Sequence, residues 1–329
     1  MVTIRDIAKR LGLSVSTVSR ALNDNKRISI KTRRNVHQMA EKLGYQPNYN
    51  AKNLTNREAN TVGVVFPVNN RVVDNIFYVG ILRGMNAQLN QRNYVLSIAI
   101  GDSTEQVIDN VKSMITRAQI KHFILLYSHQ NDPVIEMLQN EDVDFVTIGK
   151  PAAGQDWLYV DNDNVKAGFD GANFLINEFH AQNPVFVQTH NDWPVEIDRR
   201  KGYLDAINQA GKQPVVFSIP DADDAVSDQF IKDHPQMDGI VAIDDYSGLK
   251  MYHRFKMIYP DKDIVVLGYN NSLPAELNDT HFHSSDIHLG EMGNSAVQLL
   301  LDNTEDGEAA TRPIMVGLQL VNEVEENHI

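Results

Sequence analysis

The apolar positions of the first sixty residues recur at helical spacing and predict short helices. The first run, 4–11, places apolar side chains at i, i+3, i+4 and i+7, and Thr3 stands before it as a capping residue. Gly12 follows and can adopt the positive φ that ends a helix and turns the chain. Ser14 is a good N-cap for a second helix over 15–22. The pattern therefore predicts two short helices joined by a tight turn.

The spacing of Ala8, Gly12 and Val18 gives this hairpin a more specific interpretation. A helix-turn-helix needs a small residue where the helices cross, a glycine in the turn, and a branched residue that holds the second helix on the first. A generic helical hairpin in a small bundle is the alternative. Ser29 begins a third amphipathic run that ends at Gly44, which favours a three-helix DNA-binding head.

From Thr61 onward the pattern changes to short β-rich apolar runs separated by helical stretches. This alternation is typical of a parallel, doubly wound sheet, and the number of runs favours two such units over one sheet. The predicted strands are 61–68, 94–100, 122–128, 144–149, 157–161, 184–189, 214–219, 239–243 and 263–269. The predicted helices are 77–90, 104–118, 132–139, 165–179, 199–210, 225–233, 246–258 and 289–302.

Charge is distributed unevenly between these two regions. Residues 1–60 hold twelve Lys and Arg against four Asp and Glu, a net charge of +8, which leaves −21 for the rest of a chain whose total is −13. A basic head on an acidic body is the electrostatic pattern of a DNA-binding module attached to a separate domain.

Composition and motifs argue against several other classes of protein. The chain has no cysteine, no signal peptide and no apolar run of the ~18–20 residues that span a bilayer, so a cytoplasmic protein without a membrane partner is expected. It lacks the dinucleotide, P-loop, metalloprotease and nucleophile-elbow motifs, so neither an enzyme nor a cofactor is expected. Two weaker alternatives are a metal site at His281, His283, Asp286 and His288 and an acid–base pair at Asp244 and Asp245.

Two stretches, VTIRDIAKRLGLSVSTVSRALN and the later LGYQPNYNAKNL, resemble the LacI/GalR family of bacterial transcription regulators. The likeness continues along nearly the whole chain and is greatest to repressors of maltose and related sugar operons. It implies an α/β fold with an N-terminal helix-turn-helix head and a periplasmic-binding-protein-like body of two doubly wound parallel-sheet subdomains. It also implies a homodimer, and the lack of a C-terminal leucine heptad favours this over a tetramer.

The resemblance also implies domain boundaries. It assigns 1–46 to the helix-turn-helix, 47–60 to a hinge helix and linker, and 61–329 to ligand binding and dimerisation. Within that last region, subdomain 1 would comprise about 61–160 and 287–318, and subdomain 2 about 161–286 and 319–329. The chain would cross between them near 160, 286 and 318.

By the same resemblance, the second helix and the hinge segment contact DNA. Val15, Ser16 and Arg20 hold the family positions that read base edges, and Arg20 can pair with guanine O6 and N7 or, alternatively, contact a phosphate. Leu54 holds the position of a minor-groove wedge, although it could be an ordinary core residue. Further DNA contacts are expected at Thr3, Ser14, Thr17, Ser19, Asn23, Lys31, Asn48 and Ala51.

A small sugar effector is the implied ligand of the body. Such ligands lie where the strand carboxyl ends of the two subdomains face each other, and they need polar groups for hydroxyls and aromatic faces for C–H surfaces. Trp193 could stack on a sugar or simply anchor a surface loop. At Asp244 and Asn270 this chain departs from the usual family residues. The implied ligand residues are Asn75, Phe77, Tyr78, Asp161, Trp193, Arg199, Asp244, Asn270 and His288.

The sequence thus predicts a repressor of a maltose- or maltodextrin-type operon that binds a palindromic operator as a dimer. Anything that separates the two hinge helices would release the DNA. A sugar-binding protein of the transport type and an α/β enzyme with a fused helical head are the alternatives. Whether a phosphoprotein co-regulator docks, as in some relatives, is left open.

Overall fold

The computed structural model of the chain describes residues 2–22, 24–45, 59–68, 76–191, 193–220, 223–272, 281–305 and 313–321. Internal contacts divide the chain into two compact units, Met1–Ala59 and Asn60–Ile329, which we call the head and the body. The hinge segment that the sequence predicts lies mostly outside the described residues. No helix of the described part is both long and apolar enough to cross a membrane.

Three helices build the head around a small apolar core. Ile7, Val18 and Val36, one from each helix, are fully buried where the helices meet. Gly12 has a φ of 63°, which ends the first helix and lets the chain turn into the second. This arrangement confirms the helix-turn-helix predicted from the spacing. The helices are α1 (Ile4–Leu11), α2 (Val15–Leu22) and α3 (Ile30–Leu43).

Side chains define where the helices of the head begin. The backbone N–H and the hydroxyl of Thr3 donate to Asp6 Oδ2 at 2.8 and 2.7 Å. These two hydrogen bonds stabilise the ionised carboxylate, so the pKa of Asp6 lies below its ordinary value. Ser29 caps α3, since its Oγ accepts from the backbone N–H of Thr32 at 3.1 Å.

Twelve strands of the body are described, and they form two sheets. In chain order they are β1 (Thr61–Val65), β2 (Val95–Ala99), β3 (His122–Leu125), β4 (Asp144–Ile148), β5 (Tyr159–Asn162), β6 (Pro184–Gln188), β7 (Val216–Ser218), β8 (Gly239–Ala242), β9 (Val265–Tyr269), β10 (Phe282–Asp286), β11 (Ile314–Val316) and β12 (Gln319–Val321). The first sheet has the order β11-β5-β4-β3-β1-β2 and the second has the order β12-β10-β9-β8-β6-β7.

Neighbouring strands of the first sheet all run parallel. In the second sheet β12 is antiparallel to β10, and the other neighbours are parallel. The two sheets, one parallel and one parallel except for β12, confirm the predicted fold class. The helices between the strands are α4 (Ile76–Gln91), α5 (Thr104–Thr116), α6 (Pro133–Gln139), α7 (Asn164–Glu178), α8 (Pro194–Gln209), α9 (Asp224–Asp233), α10 (Asp245–Ile258) and α11 (Leu289–Glu305).

Each sheet and the helices packed on it form one lobe of the body. The first lobe comprises the first sheet with α4, α5, α6 and α11, and the second comprises the second sheet with α7, α8, α9 and α10. Along the described residues the chain therefore passes between the lobes three times, just after Asn162, around Ile287 and around Gly317. We call these three places the crossovers; they lie beside the positions near 160, 286 and 318 given by the family resemblance.

Glycines let one helix pair in each lobe cross at backbone contact. A Cβ added to Gly84 on α4 would stand 1.9 Å from the carbonyl oxygen of Gly290 on α11. In the second lobe, a Cβ on Gly168 of α7 would stand 1.9 Å from the carbonyl oxygen of Arg199 on α8. Only glycine permits approaches this close, so these crossings fix α4 against α11 and α7 against α8.

The structure differs from the sequence prediction in two places that matter for the site. Helix α8 begins at Pro194, five residues before the predicted start at 199, because Trp193 and Pro194 supply its N-cap and first helical position. Strands β10, β11 and β12 are absent from the prediction. Two of them have only three residues, and β10 reads FHSSD, which lacks an apolar run.

Candidate functional site

The N-terminal half of α2 presents polar side chains at the surface of the head. Ser14 Oγ accepts from the Thr17 N–H at 3.1 Å and lies 2.9 Å from Ser16 Oγ, so Ser14 caps the helix and orders its first turn. Val15 is 43% exposed, so its side chain lies at the surface and outside the core of the head. Ser16 and Arg20 are also exposed, while Thr17 and Ser19 are half-buried.

The other predicted DNA contacts fall into two groups. Thr3 and Lys31 are exposed on the head. The second group lies outside the described residues and comprises Asn23 and the predicted hinge residues Asn48, Ala51 and Leu54.

A cavity of about 220 Å³ lies between the two lobes of the body. Its walls come largely from the carboxyl ends of parallel strands, where neighbouring strands deliver their following loops to one place. Those strand ends contribute Ser128 after β3, Lys150 after β4, Thr189 after β6 and Ile243 after β8. A concave site lined from both lobes by apolar and polar groups is where a small ligand would bind.

Seven of the nine predicted ligand residues line this cavity: Phe77, Tyr78, Asp161, Trp193, Arg199, Asp244 and Asn270. Asn75 lies outside the described residues. His288 does not line the cavity; it lines a separate open depression with Asp286 and Glu291, and Ile287 faces the cavity instead. His288 has a φ of 54° and donates its N–H to Asp286 Oδ1 at 2.7 Å. The chain turns at this residue, which places His288 outside the cavity wall, and its role as a ligand residue stays a prediction.

Arg199 is the most firmly held of the lining residues. Its Nε donates to Asn164 Oδ1 at 2.9 Å and its Nη1 donates to the carbonyl oxygen of Ile243 at 2.6 Å. Its guanidinium carbon lies 4.0 Å from the centre of the Tyr269 ring, a cation–π contact. Burial lowers the pKa of Arg199, and the nearby Tyr269 and Asp161 oppose that effect. The guanidinium is therefore a fixed hydrogen-bond donor in the cavity wall.

Asp161 is a buried carboxylate whose oxygens are occupied by donors from the protein. Oδ2 accepts from the backbone N–H of Lys150 at 3.0 Å. Oδ1 accepts from the N–H of Asn162 and from Asn164 Nδ2, both at 2.8 Å. Burial raises the pKa of Asp161, and these hydrogen bonds and Arg199 act in the opposite direction. Asn164 thus connects the two charged groups, since it donates to Asp161 and accepts from Arg199.

Asp244 and Asp245 are adjacent in sequence but lie in different environments, one at the cavity and one in the interior. Asp244 lines the cavity and caps α10, with Oδ1 accepting from the Ser247 N–H at 2.7 Å. Asp245 is fully buried and accepts hydrogen bonds from the hydroxyls of Ser284 and Ser272 at 2.7 and 3.1 Å. Burial raises the pKa of Asp245 to about 7, against those hydrogen bonds. The two carboxylates do not form the acid–base pair weighed as an alternative.

Several lining residues escaped the sequence prediction. Glu196 on the first turn of α8 is buried, and its Oε1 accepts a hydrogen bond from the hydroxyl of Thr189. Lys150 forms an ion pair with Asp198, which joins the β4–β5 loop of the first lobe to α8 of the second. The helical spacing of Glu196 and Arg199, three apart, would have indicated their shared face once α8 was known to begin at Pro194.

Aromatic rings occupy part of the cavity wall. The rings of Phe77 and Tyr78 meet edge to face with centroids 5.1 Å apart. Trp193, half-buried, stands at the N-cap of α8, where Pro194 fixes the start of the helix. Flat apolar faces beside carboxylates, amides and a guanidinium suit a ligand that has both hydroxyl groups and C–H surfaces.

One histidine of the histidine-rich stretch 281–288 packs among aromatic rings. The ring of His283 packs against those of Phe174 and Phe179, with centroids 5.2 and 4.9 Å away. Within the described ranges, no group of three or more His, Cys, Asp or Glu is arranged to hold a metal ion.

Two segments of the chain match known protein families. Residues 3–48 match the bacterial regulatory proteins of the lacI family. Residues 59–320 match the periplasmic binding proteins and sugar binding domain of the LacI family. The first segment contains the three helices of the head, and the second contains both lobes and the cavity.

Individual relatives agree with these matches. The transcriptional regulator MalR of Staphylococcus xylosus is 36% identical over 212 residues, which are 64% of this chain and 62% of that protein. MalR of Streptococcus pneumoniae strain TIGR4 is 26% identical over 325 residues, which are 95% of this chain and 97% of that protein. The solved structure of the transcriptional regulator CelR with cellobiose has a TM-score of 0.71 and 25% identity, and the match covers 97% of this chain and 98% of that chain.

Proposed function

Because the chain belongs to the LacI family of bacterial regulatory proteins, we propose that it is a repressor whose body binds a maltose-type oligosaccharide and so controls the DNA affinity of its head. At the coarser level, the chain is a DNA-binding transcriptional regulator and not an enzyme.

The lining of the cavity between the lobes carries this proposal. It combines aromatic faces with carboxylates, amides and one fixed guanidinium, which are the groups that sugar rings and their hydroxyls require. The lining carboxylates are Asp161, Glu196 and Asp244, and the lining cations are Lys150 and Arg199. Lys150 is already paired with Asp198. An anionic phosphosugar would meet an excess of negative charge here, so a neutral sugar is favoured.

The likeness to MalR regulators, which agrees with the sequence resemblance to maltose-operon repressors, and the solved complex of CelR with cellobiose, a disaccharide, support a glucose-based oligosaccharide. We therefore place maltose and short maltodextrins first among the ligands to test. Cellobiose has the same composition and the opposite anomeric linkage, so it is the sharpest competitor.

The exposed part of α2 supports the DNA half of the proposal. Ser14 fixes the first turn of α2, and Val15, Ser16 and Arg20 are presented to solvent on that helix. A recognition helix enters the major groove with such residues. We further infer that two copies bind a palindromic operator, since a symmetric dimer reads two matching half-sites. Asn48, Ala51 and Leu54 would complete that contact in the minor groove, and the complex would act in the cytoplasm.

The two tryptophans of the chain allow a direct test of the ligand site. Trp193 lines the cavity. Trp157 is not a lining residue, and its Nε1–H donates a hydrogen bond to Thr147 Oγ1 at 3.0 Å. Addition of maltose or maltotriose should change the tryptophan fluorescence in wild type and in Trp157→Phe, and should leave the emission of Trp193→Phe unchanged. Glucose 6-phosphate is the anionic control. A response to the phosphosugar alone would contradict the assignment of a neutral sugar, and a response to maltose retained in Trp193→Phe would contradict the contact between Trp193 and the sugar.

The DNA half is tested by selecting bound duplexes from a random oligonucleotide pool. The recovered sequences should be palindromic, and binding should weaken steeply as salt rises. Arg20→Ala should lose ~1–3 kcal/mol of discrimination at one base pair of each half-site. Arg27→Ala, a matched change at an exposed arginine outside α2, should weaken binding without altering the preferred sequence. Identical base preferences for wild type and Arg20→Ala would contradict the assigned role.

A further inference from the structure

The side chain of Asn162 lies where all three crossovers meet. Its Nδ2 is 3.0 Å from the carbonyl oxygen of Val316, and 3.3 Å from those of Gly317 and Ile287. Asn162 itself is the last residue of β5, at the first crossover, and it is buried, with 3% exposure. One amide group therefore holds the first, second and third crossovers together.

Chemistry explains why an asparagine is suited to this place. Three carbonyl oxygens converge on one point, and none of them can donate, so a donor is required between them. An amide nitrogen carries two hydrogens and can serve three acceptors when one hydrogen is shared. An aspartate has almost the same shape but would face the three carbonyl oxygens with a negative charge.

The same residue also belongs to the ligand cavity and to the network around it. Asn162 is among the lining residues. Its backbone N–H donates to Asp161 Oδ1, and its backbone oxygen accepts from Asn164 Nδ2 at 3.2 Å. Asn164 in turn accepts from Arg199 Nε. A continuous chain of hydrogen bonds thus runs from the three crossovers to the guanidinium in the cavity wall.

We propose that Asn162 is the positioning residue through which a ligand in the cavity sets the relative orientation of the two lobes. A ligand that forms hydrogen bonds with Arg199 or Asp161 changes the hydrogen bonds that hold Asn162 in place. Because the amide ties the three described crossovers together, a small shift there alters all three at once and not a single connection. The ligand arm of the experiment below rests on the proposed sugar function, whereas the ligand-free arm does not.

The chain has no cysteine, so two spin labels can be placed without background. Glu136→Cys on α6 reports the first lobe and Lys201→Cys on α8 reports the second; both native side chains are exposed. Pulsed electron paramagnetic resonance of labelled subunits, diluted with unlabelled ones, then gives the distance distribution between the lobes. Without ligand, wild type should show a narrow distribution.

Two variants test the residue in this background. Asn162→Asp keeps the shape and removes the donor, and Asn162→Ser removes the amide without adding charge. Both should broaden the ligand-free distribution and shift it to longer distances. Asn110→Asp is the matched control: its exposed amide donates to the single carbonyl of Ile100 at 2.8 Å, far from the crossovers, and its distribution should equal that of wild type. Circular dichroism melting checks that each variant is folded.

Maltotriose then provides the second readout. It should shift the wild-type distribution and change the affinity for the selected duplex, and both responses should be lost in folded Asn162→Ser. A wild-type distribution in both Asn162 variants would overturn the proposal. If no sugar shifts wild type while the ligand-free distributions differ as expected, the sugar assignment fails and the role of Asn162 stands.

Discussion

The guanidinium carbon of Arg199 lies 4.0 Å from the centre of the Tyr269 ring, and the hydroxyl of that tyrosine donates to the carbonyl oxygen of Ala167 at 2.8 Å. A hydrogen bond to α7 therefore fixes the tyrosine ring, and the face of that ring contacts the guanidinium of Arg199. With Asn164 and Ile243 occupying Nε and Nη1, the guanidinium cannot rotate without breaking several contacts. Such preorganisation reduces the entropy lost when a ligand binds.

Arg199→Lys should weaken sugar binding by at least about tenfold and lower the free energy of unfolding by ~1–3 kcal/mol. A lysine cannot donate to Asn164 and Ile243 together, so at least one buried acceptor loses its partner. Isothermal titration calorimetry and urea denaturation measure the two effects. Arg200→Lys makes the same change one residue later, outside the cavity lining, and should retain wild-type affinity. Equal affinities for the two variants would remove Arg199 from the site.

Stability should depend on the protonation of Asp245. Burial raises its folded-state pKa to about 7, whereas an aspartate in an unfolded chain titrates near ~3.9. Between about pH 4 and 7 the folded chain holds this proton more tightly than the unfolded chain does, so this group makes stability fall as pH rises through that window. Asp245→Asn is neutral throughout and should lack this contribution.

The measurement is the urea midpoint of both proteins at several pH values. The urea midpoint of Asp245→Asn should rise relative to the urea midpoint of wild type as pH rises from about 5 to about 8. The exposed Asp205→Asn controls for the loss of one carboxylate. Parallel pH profiles for wild type and Asp245→Asn would contradict the raised pKa.

Gly168→Ala should destabilise the second lobe by ~1–3 kcal/mol or more and reduce sugar affinity as well. The added methyl group would stand 1.9 Å from the carbonyl oxygen of Arg199, so α7 and α8 must separate and carry the arginine with them. Thermal denaturation and titration with maltose report the two effects. Gly290→Ala is the matched control, since its Cβ would meet no atom within 4 Å. A tolerated Gly168→Ala would show that the crossing can relax.

Val18→Ala and Val15→Ala should separate head stability from DNA contact. Val18 is fully buried in the head core, and its truncation should cost ~2 kcal/mol there. Val15 is 43% exposed on the same helix, so its truncation should leave stability unchanged and affect only the affinity for the selected duplex. Neither change should alter sugar binding by the body. Loss of stability in Val15→Ala would contradict the described orientation of α2.

Much of the architecture could be predicted because its signals are local. The spacing of Ala8, Gly12 and Val18 predicts the helix-turn-helix of the head, because two helices in contact need a small residue at the crossing, a glycine in the turn and a branched residue in the core. Alternating apolar runs and helical stretches encode the parallel sheets. Strand β10 gave no such signal because its hydroxyls serve a distant group: Ser284 donates to Asp245 on α10.

The candidate site could be predicted only in part, because its members meet through tertiary structure. Family resemblance indicated Arg199 and Asp161 by their motif positions, and both line the cavity. Glu196 and Lys150 lie outside those motifs. The ion pair of Lys150 with Asp198 joins the two lobes, and local sequence patterns do not predict how the lobes pack against each other. His288 was assigned to the site by the same resemblance, and the turn at that residue leaves Ile287 on the cavity wall.

The strand order of the first lobe has a consequence for how the protein is made. Strand β11, Ile314–Val316, completes the first sheet by pairing with β5, and α11 packs on α4. Neither lobe can be completed during synthesis until residues near 316–321 have left the ribosome, whereas the core of the head is drawn from residues 4–45. The residues that form the core of the head are therefore synthesised well before the residues that complete either lobe.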